Sequence, residues 1–171
     1  MNITHQNSLD PLSIAESLAE QFAQTAAQRH KQGGNPKKER DLIRQSGLLS
    51  LSIPKEFGGQ GADWATIFAT IQSIARADSS LAHVYAFHHL LIATVKLFAQ
   101  PQQYAPWFEK TVQENLFWGN TLNPLDRRAT ATKINENEYI FHGDKSFCSG
   151  SIDSDMLLCS AYNPEGKLLI A

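Results

Sequence analysis

Ile53-Pro54-Lys55-Glu56-Phe57-Gly58-Gly59-Gln60-Gly61 is the stretch of sequence on which the fold turns. Proline fixes one turn, and three glycines permit positive φ or close backbone approach. Residues 48–62 therefore read as a loop, with helical signals on both sides. Upstream, Asp10-Pro11 supplies an acidic N-cap and a proline at the first helical position. Ile14, Leu18, Phe22 and Ala26 then recur every fourth residue as one apolar stripe. The stripe ends near Arg29, before Gly33-Gly34. Asn35-Pro36 opens a second, shorter helix that Gly47 closes. Downstream, Asp63 caps a third helix whose buried face carries Ile67, Ile71 and Ile74. Asp78-Ser79-Ser80 caps a long fourth helix running to about Ala99, and Pro101 opens a fifth that fades by Asn115.

The texture then changes. Ala129-Thr130-Ala131-Thr132 is small and β-branched, and a polar Asn135–Glu138 turn leads into Tyr139-Ile140-Phe141, the pattern of a hairpin. Ser146–Ser149, Met156–Ala161 and Lys167–Ile170 are further predicted strands. The expected class is α+β: an all-helical domain over residues 1–115, with residues 1–9 a loose polar tail, then a β domain beginning at 116–171. Lys167-Leu168-Leu169-Ile170-Ala171 reads as a strand with no turn or polar tail behind it. A sheet cut there has a bare edge, so the natural chain is expected to continue.

Composition narrows the function classes. The 171 residues are 42% hydrophobic and carry a formal charge of −2. Acids and bases are mixed along the chain, which offers nothing to nucleic acid or to an anionic membrane. Apolar runs such as Leu90–Val95 are too short to span a bilayer, and the N-terminus lacks a signal-peptide pattern, so a cytoplasmic location is expected. Cys148 and Cys159 have no metal-ligand spacing and are too few for a disulfide framework; they read as reduced, buried thiols. No metal is expected.

Three more segments carry possible chemistry. On the fourth helix, His83 and Phe87 are i and i+4 and share a face, whereas His88 and His89 point away from it. Histidine is the side chain most easily poised for proton transfer near neutral pH. Trp118–Arg128 leaves a strand and enters a turn whose Asn120 and Thr121 offer amide and hydroxyl groups to the polar edge of a ring; Arg127 and Arg128 could meet a phosphate or carboxylate. In Gly143–Gly150, read as a strand, Phe147 and Ser149 fall on one face and Cys148 on the other. An aromatic wall beside a hydroxyl suits a flat cofactor. Taken singly, these segments also read as an inter-helix loop, ordinary helix histidines, a solvated loop and a core strand with an incidental serine.

Taken in order, the segments resemble the acyl-CoA dehydrogenase superfamily. Its members carry a Pro-x-x-x-Gly-Gly-x-Gly loop between N-terminal helices, here Pro54–Gly61. A strand and flavin-contacting loop follow, here Trp118–Arg128, and then Gly-x-Lys-x-aromatic-x-Ser/Thr, here Gly143–Ser149. Within the superfamily, Phe147-Cys148-Ser149-Gly150 with Asn120 and His83 is similar to the dibenzothiophene monooxygenases and related sulfur-scavenging enzymes. The resemblance implies a β-barrel-like middle domain that begins here, and a C-terminal helical bundle that this chain lacks. It implies FAD or FMN, reduced flavin delivered by a partner reductase, a small organosulfur substrate and a homotetramer at full length. Ser149 would then be catalytic and bond the flavin ring edge, with His83 on the oxygen-reacting side. Asn120, Thr121, Phe147 and Gly150 would bind the cofactor, and Phe87 the substrate. There are departures. Phe87 and Leu125 stand where that branch can have tyrosine and asparagine, and Leu122-Asn123-Pro124 replaces the Thr-Glu-Pro of the dehydrogenases. Two alternatives stay open: an acyl-CoA dehydrogenase that uses FAD and an electron-transfer flavoprotein to form an α,β-unsaturated acyl-CoA, and a non-catalytic interaction fragment.

Overall fold

Aspartate side chains cap the starts of three helices in the computed structural model, which describes residues 10–136 and 138–171. The expected tail at 1–9, and Asn137 in the hairpin turn, lie outside the described residues. The Asp10 carboxylate accepts from the Ser13 amide and starts α1, Pro11–Ala23. Asp63 does the same for α4, Trp64–Ala77, through Thr66 at 2.7 Å, and Asp78 for α5, Ser79–Phe98, through Leu81 at 3.0 Å. Such caps satisfy amides that have no partner within the helix. Between them lie α2, Ala26–Gln32, and α3, Lys37–Gln45; α6, Pro101–Glu114, follows α5.

The first stripe does not form one helix. It breaks at Gln24-Thr25, and α2 turns so that Arg29 reaches Glu39 at 3.1 Å and Asp78 at 2.6 Å, while also donating to the Phe22 carbonyl. Three ion-assisted contacts outweigh the continuation of an apolar period. The glycine loop is tighter than a plain connector: a Cβ on Gly59 would sit 2.1 Å from the Ile53 carbonyl oxygen, so only glycine fits.

Five strands follow among the described residues: β1 Trp118–Thr121, β2 Ala129–Asn135, β3 Glu138–Gly143, β4 Met156–Tyr162 and β5 Leu168–Ile170. The expected hairpin is present as antiparallel β2–β3. β1 runs parallel to β4 with Asn120 opposite Leu158, β5 pairs antiparallel with β4, and β2 joins β4 at Thr130–Tyr162. The predicted strand at Ser146–Ser149 is absent. That segment is an irregular turn in which Phe147 has φ +60°, outside the extended region, so the alternation inferred for Phe147, Cys148 and Ser149 does not exist.

One apolar cluster joins α1, α3, α4 and α5 through Phe22, Ile43, Ile67, Ile74 and Leu81. A second crosses from helices to sheet through Leu91, Ile92, Tyr104, Phe108, Trp118 and Leu158. By length and composition α5 could cross a membrane, but its Leu81, Tyr85, His88 and Ile92 face is buried in these clusters. His88 and His89 are likewise core residues. The Trp118 amide donates to His88 Nδ1 at 3.1 Å, so the proton sits on Nε2 and is donated to the Leu49 carbonyl at 2.8 Å. His89 Nδ1 lies 2.7 Å from Ser52 Oγ.

Burial pushes the His88 pKa down to about 4 and holds His89 well below its usual value. Both take up protons near pH 6.5 in the unfolded chain. From about pH 6.5 down to about 4 the unfolded state therefore binds more protons, and the stability present above that window is lost as pH falls through it. The melting temperature is expected to fall steadily below about pH 6. In His88→Gln, whose amide can still donate to Leu49 and accept from Trp118, that fall should be shallower. Parallel pH profiles for the two proteins would refute this account of His88.

Candidate functional site

The residues 145–150 turn is where sheet, helices and loops meet. Lys145 holds its entry: the ammonium donates to the carbonyls of Asn123 at 2.6 Å and Asp126 at 2.9 Å, and to Ser160 Oγ at 3.2 Å. Asp126 accepts from both the amide and the hydroxyl of Ser146 and from Arg128, and these donors hold its carboxyl well below the usual carboxylate range. Arg128 thus meets a carboxylate within its own loop, while Arg127 lies 4.6 Å over the Tyr162 ring.

Asn120 holds the middle. Its amide N–H donates to the Ser149 carbonyl at 2.9 Å, and its side-chain Nδ2 donates to the Phe147 carbonyl at 3.1 Å. Its Oδ1 accepts from the Leu122 amide at 3.0 Å. The Thr121 hydroxyl donates to the Leu158 carbonyl. Both side chains are thus engaged with the protein itself. Gripped in this way, the turn projects Phe147 outward, 83% exposed. A non-glycine residue at positive φ costs about 1–2 kcal/mol, which these bonds offset.

Ser149 faces α5. Its Oγ lies 2.8 Å from His83 Nε2, and the His83 ring packs on Phe87 with centroids 4.7 Å apart. Residues 66 positions apart are thereby brought into one polar pair, packed against the Phe87 ring and open to solvent. The pair offers a hydroxyl and an imidazole, a dipole and a proton carrier, beside an apolar ring. Gly150 completes the turn at φ +78°. Cys148 and Cys159 are free and half-buried; burial pushes the Cys148 thiol up, which makes it a poor nucleophile. Among the described residues no group of three or more His, Cys, Asp or Glu could hold a metal.

The structure brings His83, Phe87 and Ser149 together, with Asn120 bonded to the backbone of the turn, and adds supports that the sequence does not announce. Lys145 was seen only as a motif position. Arg40 was not singled out, although it lies three residues before Ile43 and so shares the buried face of α3, an unusual place for a charge.

Residues 12–115 match the family described as acyl-CoA dehydrogenase, N-terminal domain. Over 162 residues the chain is 57% identical to a probable FMNH2-dependent monooxygenase, SfnC, of Pseudomonas putida, covering 94% of this chain and 41% of that protein. Methanesulfinate monooxygenase MsuC from Pseudomonas fluorescens has a similar structure, with TM-score 0.91 and 52% identity over 95% of this chain and 42% of its own. FMN-bound TdsC from Paenibacillus sp. A11-2 gives TM-score 0.88 and 43% identity over 94% and 43%. The chain spans about two-fifths of the length of these relatives.

Asn120 is buried and makes two side-chain bonds to backbone. Asn120→Ala should lower stability by about 1–3 kcal/mol, two hydrogen bonds' worth. Asn120→Asp keeps the acceptor for Leu122 but loses the donor to Phe147, and should raise amide exchange at 147–149 in particular. Wild-type melting for Asn120→Ala would show that the turn is held by other contacts.

Proposed function

Because the chain belongs to the acyl-CoA dehydrogenase family, we propose that the protein is a two-component flavin monooxygenase that oxygenates a small organosulfur molecule, with reduced FMN supplied by a separate reductase. The observation that carries this reading is the exposed Ser149–His83 pair beside outward-facing Phe147. An apolar ring next to a hydroxyl and an imidazole fits a flat tricycle with a polar edge. The similarity to an FMNH2-dependent and an FMN-bound relative supports FMN rather than FAD. We further place the protein in the cytoplasm and expect a homotetramer at full length.

In this reading Phe147 packs on the cofactor ring and excludes water from one side. Asn120, Thr121 and Gly150 shape the surface the ring lies against, Asn120 and Thr121 through the backbone bonds described above. When bound, reduced flavin would supply the electron pair for a monooxygenation in which one atom of dioxygen goes to the sulfur substrate and the other to water. The Ser149 hydroxyl, oriented by His83, offers a preplaced dipole at the ring edge, where little reorganisation is needed during reaction. The His83 imidazole is placed to hold and pass the proton that the departing water requires. Phe87, packed against His83 with the two rings tilted by 51°, restricts the imidazole and gives the substrate an apolar floor.

The test is oxygen uptake by the full-length protein with reduced FMN and an alkanesulfinate or a thiophene. Uptake should depend on both flavin and substrate. His83→Ala should lower turnover by roughly 10²–10⁴, as for a lost acid–base group, and Ser149→Ala by about 10²–10³, as for a lost preorganised donor. His83→Ala turnover within about twofold of wild type would remove His83 from the chemistry. Bleaching of bound flavin by butyryl-CoA would favour an acyl-CoA dehydrogenase instead.

A further inference from the structure

The turn that presents Ser149 is also gripped from the side opposite Lys145, by a cation on the helical part of the chain. Arg40 on α3 is 2% exposed. Its Nη1 donates to the Gly150 carbonyl at 3.0 Å and its Nη2 to the Asp153 carbonyl at 2.6 Å. Its Nε lies 3.2 Å from the Asp153 carboxylate, and the guanidinium carbon sits 4.5 Å over the Phe117 ring. A guanidinium is costly to bury, and here its two terminal nitrogens each donate to a carbonyl, while the Asp153 carboxylate lies at ion-pair distance from Nε without a hydrogen bond and the Phe117 ring covers one face. Gly150 directly follows Ser149. A Cβ on it would lie 3.5 Å from Val84, the neighbour of His83 on α5. The Gly150 carbonyl therefore anchors one end of a short lever whose other end is the Ser149 hydroxyl.

We infer that Arg40 is a positioning residue for the candidate site: it holds the Ser149–Gly150 turn against α5 and so sets the Ser149–His83 hydrogen bond. Its functional effect rests on the flavin reading of that turn; its structural effect does not. Arg44 is the natural comparison. It shares Asp153 with Arg40, through the carboxylate at 3.1 Å and the carbonyl at 2.6 Å, and reaches Asp155 at 3.2 Å. It is part of the same charge network but does not bond the Gly150 carbonyl. A lysine at position 40 would keep the charge and lose the fork, because one ammonium cannot reproduce the planar set of contacts.

Arg40→Lys, Arg40→Met and Arg44→Gln in the full-length protein separate positioning from general adhesion. Amide hydrogen exchange at residues 146–151 reads the turn without flavin. In Arg40→Lys it should accelerate by about tenfold or more, while exchange in the α4 and α5 core stays at wild type. Turnover with reduced FMN should fall by roughly 10–10² with little change in substrate KM, since a misplaced group costs chemistry more than binding. Arg44→Gln should lower the melting temperature without either effect. If Arg40→Met does not fold, Arg40→Lys alone decides. Wild-type exchange at 146–151 in Arg40→Lys would overturn the inference, as would acceleration spread evenly over α3 and the sheet. A loosened turn with wild-type turnover would leave the positioning intact and count against the flavin reading instead.

Discussion

A single imidazole closes the architecture. His88 accepts from the Trp118 amide and donates to the Leu49 carbonyl, which fixes the start of β1 against α5 and the glycine loop. Two residues along β1, Asn120 binds the Phe147 and Ser149 carbonyls. Ser149 then returns to α5 at His83, five residues before His88. The path leaves one helix and comes back to the same helix, through hydrogen bonds of 2.8 to 3.1 Å. His88 and His83 are thus connected through the sheet as well as along the helix. A neutral imidazole suits the junction because it presents one acceptor and one donor in a dry place, where either backbone group left unpaired would cost about 1–3 kcal/mol.

What was legible in the sequence was local. Asp10, Asp63 and Asp78 each bond an amide three residues on, an exchange that needs no knowledge of the rest of the chain. The hairpin of β2 and β3 was readable for the same reason. Failures came where distant partners decide. Ser146–Ser149 has the residues of a strand, but the side chains of Asn120, Asn123 and Asp126 bond its backbone groups in place of a neighbouring strand. The break between α1 and α2 has no proline or glycine to announce it; Arg29 makes it by reaching α3 and the start of α5. His83 and Ser149 were each visible, one as a helix histidine and one as a motif serine. Their contact was not, because helix periodicity says nothing about a turn 66 residues later.

The change of texture near residue 115 marks a change of secondary structure rather than a gap in packing. Trp118 and Leu158 from the sheet are buried with Leu91, Ile92, Tyr104 and Phe108 from the helices. The Trp118 indole also donates to Thr111 in α6 at 2.8 Å. Arg40 and Arg44 add ion pairs across the same seam. Helices and strands here form one packed body, which is what a site built from both requires, since His83 and Ser149 come from opposite sides of it.

Phe147 has an evolutionary consequence. Its backbone takes a conformation that glycine or asparagine would adopt more cheaply, and its side chain is turned to solvent. A lineage selected only for folding would exchange it readily, because nothing in the core would miss the ring. The same holds for a laboratory library screened on thermal stability alone, in which position 147 should drift early toward glycine. Drift in that screen, and resistance to drift in one that requires turnover, would mark phenylalanine as a cost the fold carries on behalf of something outside it.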